Sequence, residues 1–231
     1  MNQLIAFLKK TDLFQDLPEK TIETEIIPQG QIKEIAKESF LLLPQERLDY
    51  FGIILEGRIH TMHIFDDGNS SIIDSFEQGE MFGSDLIYTK TRLAPYHVRA
   101  VSDVRMLQFS AQVLFDGGML SEGTRAKIKE NLLCLISQDN MRREYRLAIL
   151  SQKGLRERIM TYLSMQASRK KRDTFTISFS REELAAYLCV NRSALSHELS
   201  CMQQEGLISF HKNTFCVHRE TAQKDSHREF I

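Results

Sequence analysis

The sequence predicts an α+β protein in three consecutive parts: an N-terminal β-roll over residues 1–120, a long helix over 121–150, and a C-terminal winged helix-turn-helix over 151–231. Three observations carry this. Between Ile32 and Phe115 the chain is cut into short apolar or alternating runs separated by turns, the texture of a closed or rolled β-structure. From Ser121 to Leu150 there is no proline and one early glycine, Gly123, leaving room for a helix of roughly seven turns. From Ser180 to Ile208, two short amphipathic helices meet at a tight turn, and a hairpin follows.

In the first part, Leu4–Leu17 reads as a helix or a helical turn and loop. Strands are expected at Ile32–Ala36, Phe51–Leu55 and Ile59–Phe65. Asp66-Asp67-Gly68-Asn69 supplies turn-forming residues for a hairpin, Ser71–Phe76 returns, and His97–Phe109 holds the last two strands. His60 and His63 share a strand but point to opposite faces, so they do not form a joint metal site.

The long helix carries two apolar stripes. Ile128, Leu132 and Leu135 form one, expected to pack on the β-roll. Leu133, Ile136, Asn140, Leu147 and Leu150 recur at alternating three and four spacings, with Arg143 in the gap. That second stripe reads as a short parallel-dimer seam, in which the polar Asn140 fixes register at some cost in stability. Ser151-Gln152-Lys153-Gly154 then breaks the helix, and Leu155, Ile159, Tyr162 and Leu163 mark one face of the next.

The C-terminal part is the most informative. Ser180 and Glu183 form a capping box. Leu184, Ala185 and Leu188 give the first helix its apolar face, Cys189-Val190 is the break, and Asn191 is the N-cap of the second helix. Leu195, Leu199 and Met202 form a buried stripe that turns Arg192, Ser193, Ser196 and His197 outward, and Gly206 ends the helix. A hairpin with a three-residue turn, His211-Lys212-Asn213, makes a wing. Thr174–Phe179 is a short strand ahead of the capped helix, and the polar tail Glu220–Ile231 is expected to fray. A second helix of this kind suits a DNA major groove, and a wing tip suits phosphate. The expected DNA-binding residues are Ser180, Arg181, Asn191, Arg192, Ser193, Ser196, His197 and Lys212, with Arg192 as the bidentate reader of guanine.

Charge agrees once it is divided. Through Leu150 there are 17 Lys and Arg against 22 Asp and Glu, a net of −5. Beyond it there are 13 against 9, a net of +4, so a mildly basic module follows an acidic one. No apolar run approaches membrane length, the N-terminus is not a signal peptide, and the four cysteines have no metal-binding spacing, so a reduced cytoplasmic protein is expected.

Phe51–Ile59 with Gly57, Gln78–Gly83 with two further glycines, Leu150-Ser151-Gln152-Lys153 followed by Glu157-Arg158-Ile159, and the helix-turn-helix together resemble the cyclic-AMP receptor protein and fumarate–nitrate regulator (CRP/FNR) family, over about Phe14–His218. The resemblance implies a cyclic-nucleotide-binding-like jelly roll. Family members that bind cyclic nucleotide carry a Glu and an Arg-Ser pair that hold ribose and phosphate. Ser84 stands near that Glu, and Leu93-Ala94-Pro95 occupies the Arg-Ser region, with Arg92 and Arg99 nearby. A buried phosphate without a bidentate cation is costly, which argues against cyclic AMP. No cysteine precedes Cys134, so the N-terminal iron–sulfur cluster of other members lacks ligands, and His97 alone makes a weak haem ligand. Cofactor and effector stay unknown. Cys134, on the long helix, reads as a packing residue before it reads as an oxidant sensor. In the recognition helix Ser193 replaces the family's Glu and Ser196-His197 its Ser-Arg, so the operator differs.

The expectation is a cytoplasmic, homodimeric, non-enzymatic transcription regulator that binds near-palindromic double-stranded DNA, with RNA polymerase as a further partner and no membrane role. The alternative is a cyclic-nucleotide-binding-like regulatory module whose C-terminal helices contact protein.

Overall fold

In the computed structural model, which describes residues 1–218, the chain separates into two compact units, Met1–Arg142 and Arg143–Ile231. The division falls inside the long helix, so its last turns belong with the C-terminal unit. The Glu220–Ile231 tail lies outside the described residues.

The N-terminal unit begins with α1 (Asn2–Leu8) and α2 (Glu19–Thr21), which runs on through a wider π turn at Ile22–Ile26. Eight strands follow: β1 (Gly30–Ile35), β2 (Phe40–Leu42), β3 (Tyr50–Glu56), β4 (Ile59–Ile64), β5 (Ser70–Phe76), β6 (Met81–Phe82), β7 (His97–Ala100) and β8 (Val104–Ser110). They form two antiparallel four-stranded sheets, ordered β1-β8-β3-β6 and β2-β7-β4-β5. The short strands β2 and β6 escape a periodicity reading, being three and two residues long.

Strand β3 is buried on both faces, which explains the unbroken apolar run Phe51–Leu55. Ile54, Val104 and Met106 point toward the second sheet and pack with Ile59, Phe76, Phe82 and Val98. Phe51, Ile53, Leu55, Leu107 and Phe109 point the other way, onto Leu8, Leu13, Phe14 and Ile22 of the N-terminal segment. Gly57 is where the roll needs glycine. Its φ is +86°, and a β-carbon there would fall 2.1 Å from the Asp103 carbonyl oxygen.

After α3 (Gln112–Phe115), the helix α4 spans Glu122–Leu150. Ile128, Leu132 and Leu135 join the same core, as their spacing predicts. Asn131, buried between them, donates its side-chain amide to the carbonyls of Leu13 and Gln15 at 3.0 Å each, tying the N-terminal segment to α4.

The C-terminal unit contains α5 (Leu155–Lys170), β9 (Thr174–Thr176), α6 (Arg181–Tyr187), α7 (Arg192–Gln204), β10 (Ile208–His211) and β11 (Thr214–Val217). The expected strand Thr174–Phe179 stops at Thr176, but it has a role that its sequence does not announce. β9 pairs with β11 and makes the wing a three-stranded sheet, ordered β10-β11-β9. The wing turn is also tighter than expected. His211 pairs with Thr214, leaving Lys212 and Asn213 as a two-residue loop instead of three, with Lys212 at φ +52°.

Candidate nucleic-acid interface

The reading head is assembled from α6, α7 and the wing. The capping box at α6 is complete: Ser180 Oγ accepts from the Glu183 amide at 3.2 Å, and the Ser180 amide donates to Glu183 Oε2 at 2.6 Å. These bonds occupy Ser180 in holding the helix. Leu184, Ala185 and Leu188 of the α6 segment, and Leu195, Leu199 and Met202 of α7, are all buried, so α7 has one orientation available. Its other side carries Arg192, Ser193 and His197 exposed and Ser196 half-buried. The intervening turn places Cys189 at φ +56°, a left-handed conformation normally given to glycine.

Asn191 is the N-cap residue of α7 by position and backbone, but its side chain makes no cap bond. That corrects the expected capping role and leaves the amide exposed beside Arg192. His197 has its Nε2 3.7 Å from Cys201 Sγ, one turn along the same helix. Gly206, at φ +74°, follows the last turn as expected.

Arg181 differs from its expected role as an outward DNA contact. Its guanidinium lies 5.0 Å over the Phe210 ring and 5.4 Å over Phe215, and it donates to the Lys212 carbonyl at 3.1 Å. Burial there pulls its pKa below the ordinary arginine value. Arg181 therefore clamps the wing to α6 and sets the position of Lys212, whose own side chain is exposed at the tip.

Three further arginines that composition alone does not single out brace the head. Arg156 of α5 bonds Glu198 at 2.6 Å and grips the Glu205 carboxylate in bidentate fashion at 2.6 and 2.8 Å. Arg158 donates to the carbonyls of Gln152 (3.0 Å) and Leu188 (3.4 Å), the latter at the open end of α6. Arg146 stacks 5.4 Å over Tyr187. In the basic run Arg169–Arg172, Lys170 is engaged with the Thr176 carbonyl, while Arg169 and Arg172 are exposed.

The predicted dimer seam on α4 is partly used by the protomer itself. Leu133, Asn140 and Leu147 are exposed, whereas Ile136 is half-buried against the N-terminal core and Leu150 is half-buried. Cys134 is exposed too, contrary to a packing role.

Inside the β-roll, the side chains that would hold a cyclic nucleotide are replaced by internal contacts. Ser84 is buried and donates to Asp139 Oδ2 of α4 at 2.8 Å, and Ala94 is fully buried. Arg92 is half-buried, bonds Asp49 at 3.0 Å and lies 5.0 Å over Phe115, so its guanidinium is already engaged. Arg99 pairs with Glu38. Calorimetric titration with cyclic AMP or cyclic GMP is therefore expected to show no saturable heat at micromolar concentration. Stoichiometric binding would require a cation outside this set.

Among the described residues no group of three or more His, Cys, Asp or Glu side chains is arranged to hold a metal ion, and no helix is long and apolar enough to cross a membrane. Family models identify the two halves: a cyclic nucleotide-binding domain matches residues 32–116, and a Crp-like helix-turn-helix domain matches 157–222. Electron transport regulator A of Shewanella oneidensis is 24% identical over 183 residues, covering 76% of this chain and 70% of its own. The fold is similar to that of the c-di-GMP-responsive global regulator CLP from Xanthomonas campestris, with a TM-score of 0.70 at 16% identity, covering 87% of this chain and 99% of that one. FixK2 from Bradyrhizobium japonicum gives 0.67 at 16% identity with the same coverage of both chains. A CooA mutant from Carboxydothermus hydrogenoformans gives 0.63 at 15% identity, over 91% and 96%.

Proposed function

Because this chain belongs to the CRP/FNR family of DNA-binding transcription regulators, we propose that it acts as a cytoplasmic homodimer, without enzymatic activity, on a near-palindromic operator. RNA polymerase is the further partner such a regulator would meet. The observation that carries the reading is the rigid presentation of one polar surface. Buried Leu195, Leu199 and Met202 fix α7, and its exposed N-terminal turn offers Asn191, Arg192 and Ser193 next to a clamped wing. Within that surface, Arg192 reads a base edge, Ser193, Ser196 and His197 add to base or backbone contact, and Lys212 meets phosphate.

The effector of the β-roll, if small, is not a cyclic nucleotide, since Ser84 and Ala94 stand where its ribose and phosphate would be held, and Ser84, Arg92 and Arg99 are each bonded elsewhere in the chain, to Asp139, Asp49 and Glu38. A small molecule acts on such a protein only by favouring the DNA-competent arrangement of its heads. The rival reading, a regulatory module whose C-terminal helices contact protein, gives no account of a wing built to hold an exposed lysine.

Arg192→Ala and Lys212→Ala together test the assignment. Arg192→Ala is expected to reduce discrimination between operator and random DNA by about 1–3 kcal/mol, the worth of a bidentate base contact. Lys212→Ala is expected to weaken binding to both alike and to flatten the salt dependence. If competition binding showed Arg192→Ala weakening both equally, Arg192 would be a phosphate clamp and base reading would pass to Ser193, Ser196 and His197.

A further inference from the structure

Within the N-terminal unit, one polar cluster is drawn from both the roll and α4. Arg142 donates to Glu80 Oε1 at 3.0 Å and pairs with Asp139, one turn back on the same helix. Asp139 is buried, and its other oxygen accepts from Ser84. The second oxygen of Glu80 accepts from the Glu77 amide at 2.8 Å. Asp74 of β5 adds a third carboxylate within electrostatic reach of Arg142 and Glu80. Burial holds the Glu80 carboxyl above its ordinary pKa, as expected for a group withdrawn from water.

This cluster holds together in one arrangement. Asp139 is buried while Arg142 and Glu80 are half-buried, and charges withdrawn from water in this way are tolerated when paired and hydrogen-bonded, so that removing one partner leaves the others uncompensated. Sliding or rotating α4 on the roll would separate Arg142 from Glu80 and Asp139 from Ser84 at the same time. Together with Asn131, which bonds the N-terminal segment, the charged groups of α4 thus fix the helix along its axis, where the apolar stripe Ile128, Leu132 and Leu135 is permissive.

We propose, resting on the regulator reading above, that Arg142 is a built-in substitute for an effector: it seats α4 against the β-roll in the DNA-competent position, so that sequence-specific binding needs no small molecule. Ser84 and Asp139 complete the seat. Arg142 is here a positioning residue, because it touches neither DNA nor ligand.

The test uses the full chain, unfolded in denaturant, dialysed free of small molecules and refolded, then titrated with a DNA duplex selected by the native protein. The refolded protein is expected to bind with its original affinity. Arg142→Met, which keeps the aliphatic stem, is expected to bind the selected duplex at least tenfold more weakly, with dimer mass and random-DNA affinity unchanged. Arg142→Lys is expected to recover part of the loss, which a mere packing defect would not. Glu80→Gln, a milder change, is expected to give a smaller loss in the same direction, and it decides the matter if Arg142→Met fails to fold. Wild-type-like binding by Arg142→Met, or by Glu80→Gln where that variant decides, would overturn the proposal. So would a refolded wild type that binds only after a small-molecule extract of cells is restored. A native protein that selects no DNA sequence would instead sink the regulator reading on which it rests.

Discussion

Leu133→Glu combined with Leu147→Glu is expected to yield a folded monomer whose operator affinity falls by about 10²–10⁴-fold, the loss that follows when two linked reading heads become independent. Leu133, Asn140 and Leu147 are spaced seven residues apart, the repeat of one coiled-coil position, and the two leucines are 67% and 62% exposed. Large apolar side chains presented at heptad spacing suit the partner helix of the proposed dimer. Glutamates there would meet like charges across a two-fold axis. Neither leucine belongs to the N-terminal core, so the melting of that unit should not change. Ile136 is a poorer choice, because its half-burial against that core would mix a folding defect with a dimer defect. Sedimentation showing intact dimers would move the interface elsewhere.

Leu199→Ala is expected to destabilise the C-terminal unit by about 2–5 kcal/mol, the range for emptying a fully buried leucine site. Leu199 lies in the centre of the α7 stripe, fully buried between Leu195 and Met202. A loss of that size is a large share of a small unit's stability, so operator binding should fail at moderate temperature while the β-roll melts as before. The measurement is a two-probe thermal melt. A single transition shifted for both units would show that they unfold together, contrary to the two-unit description.

The elements legible in the sequence are those fixed by neighbours in the chain. The Ser180–Glu183 capping box, the Leu195–Leu199–Met202 stripe and the Asp66–Asn69 turn each depend on a few adjacent residues, and each forms as read. What the sequence does not reveal depends on distant partners. Arg181 looks like a free cation at a helix start, yet two wing aromatics some thirty residues on claim it. Arg156 and Arg158 look like generic surface charges, but they bond the far end of α7 and the C-terminal carbonyl of α6. Ser84 is legible in the sequence as a departure from the family pattern, but its partner Asp139, 55 residues away, is not. Asn191 shows the opposite limit, because residue type predicts a cap bond that its side chain does not make.

Selection of bound fragments from a genomic DNA library, followed by affinity measurement across a salt series, tests the central claim most directly. The account predicts sites with two-fold symmetry and half-sites about one helical turn apart, roughly 34–36 Å centre to centre. Affinity should fall steeply with salt, because each neutralised phosphate releases counterions. Recovery of asymmetric single sites, or of fragments with no shared sequence, would contradict a dimer that presents two copies of α7 to one face of DNA.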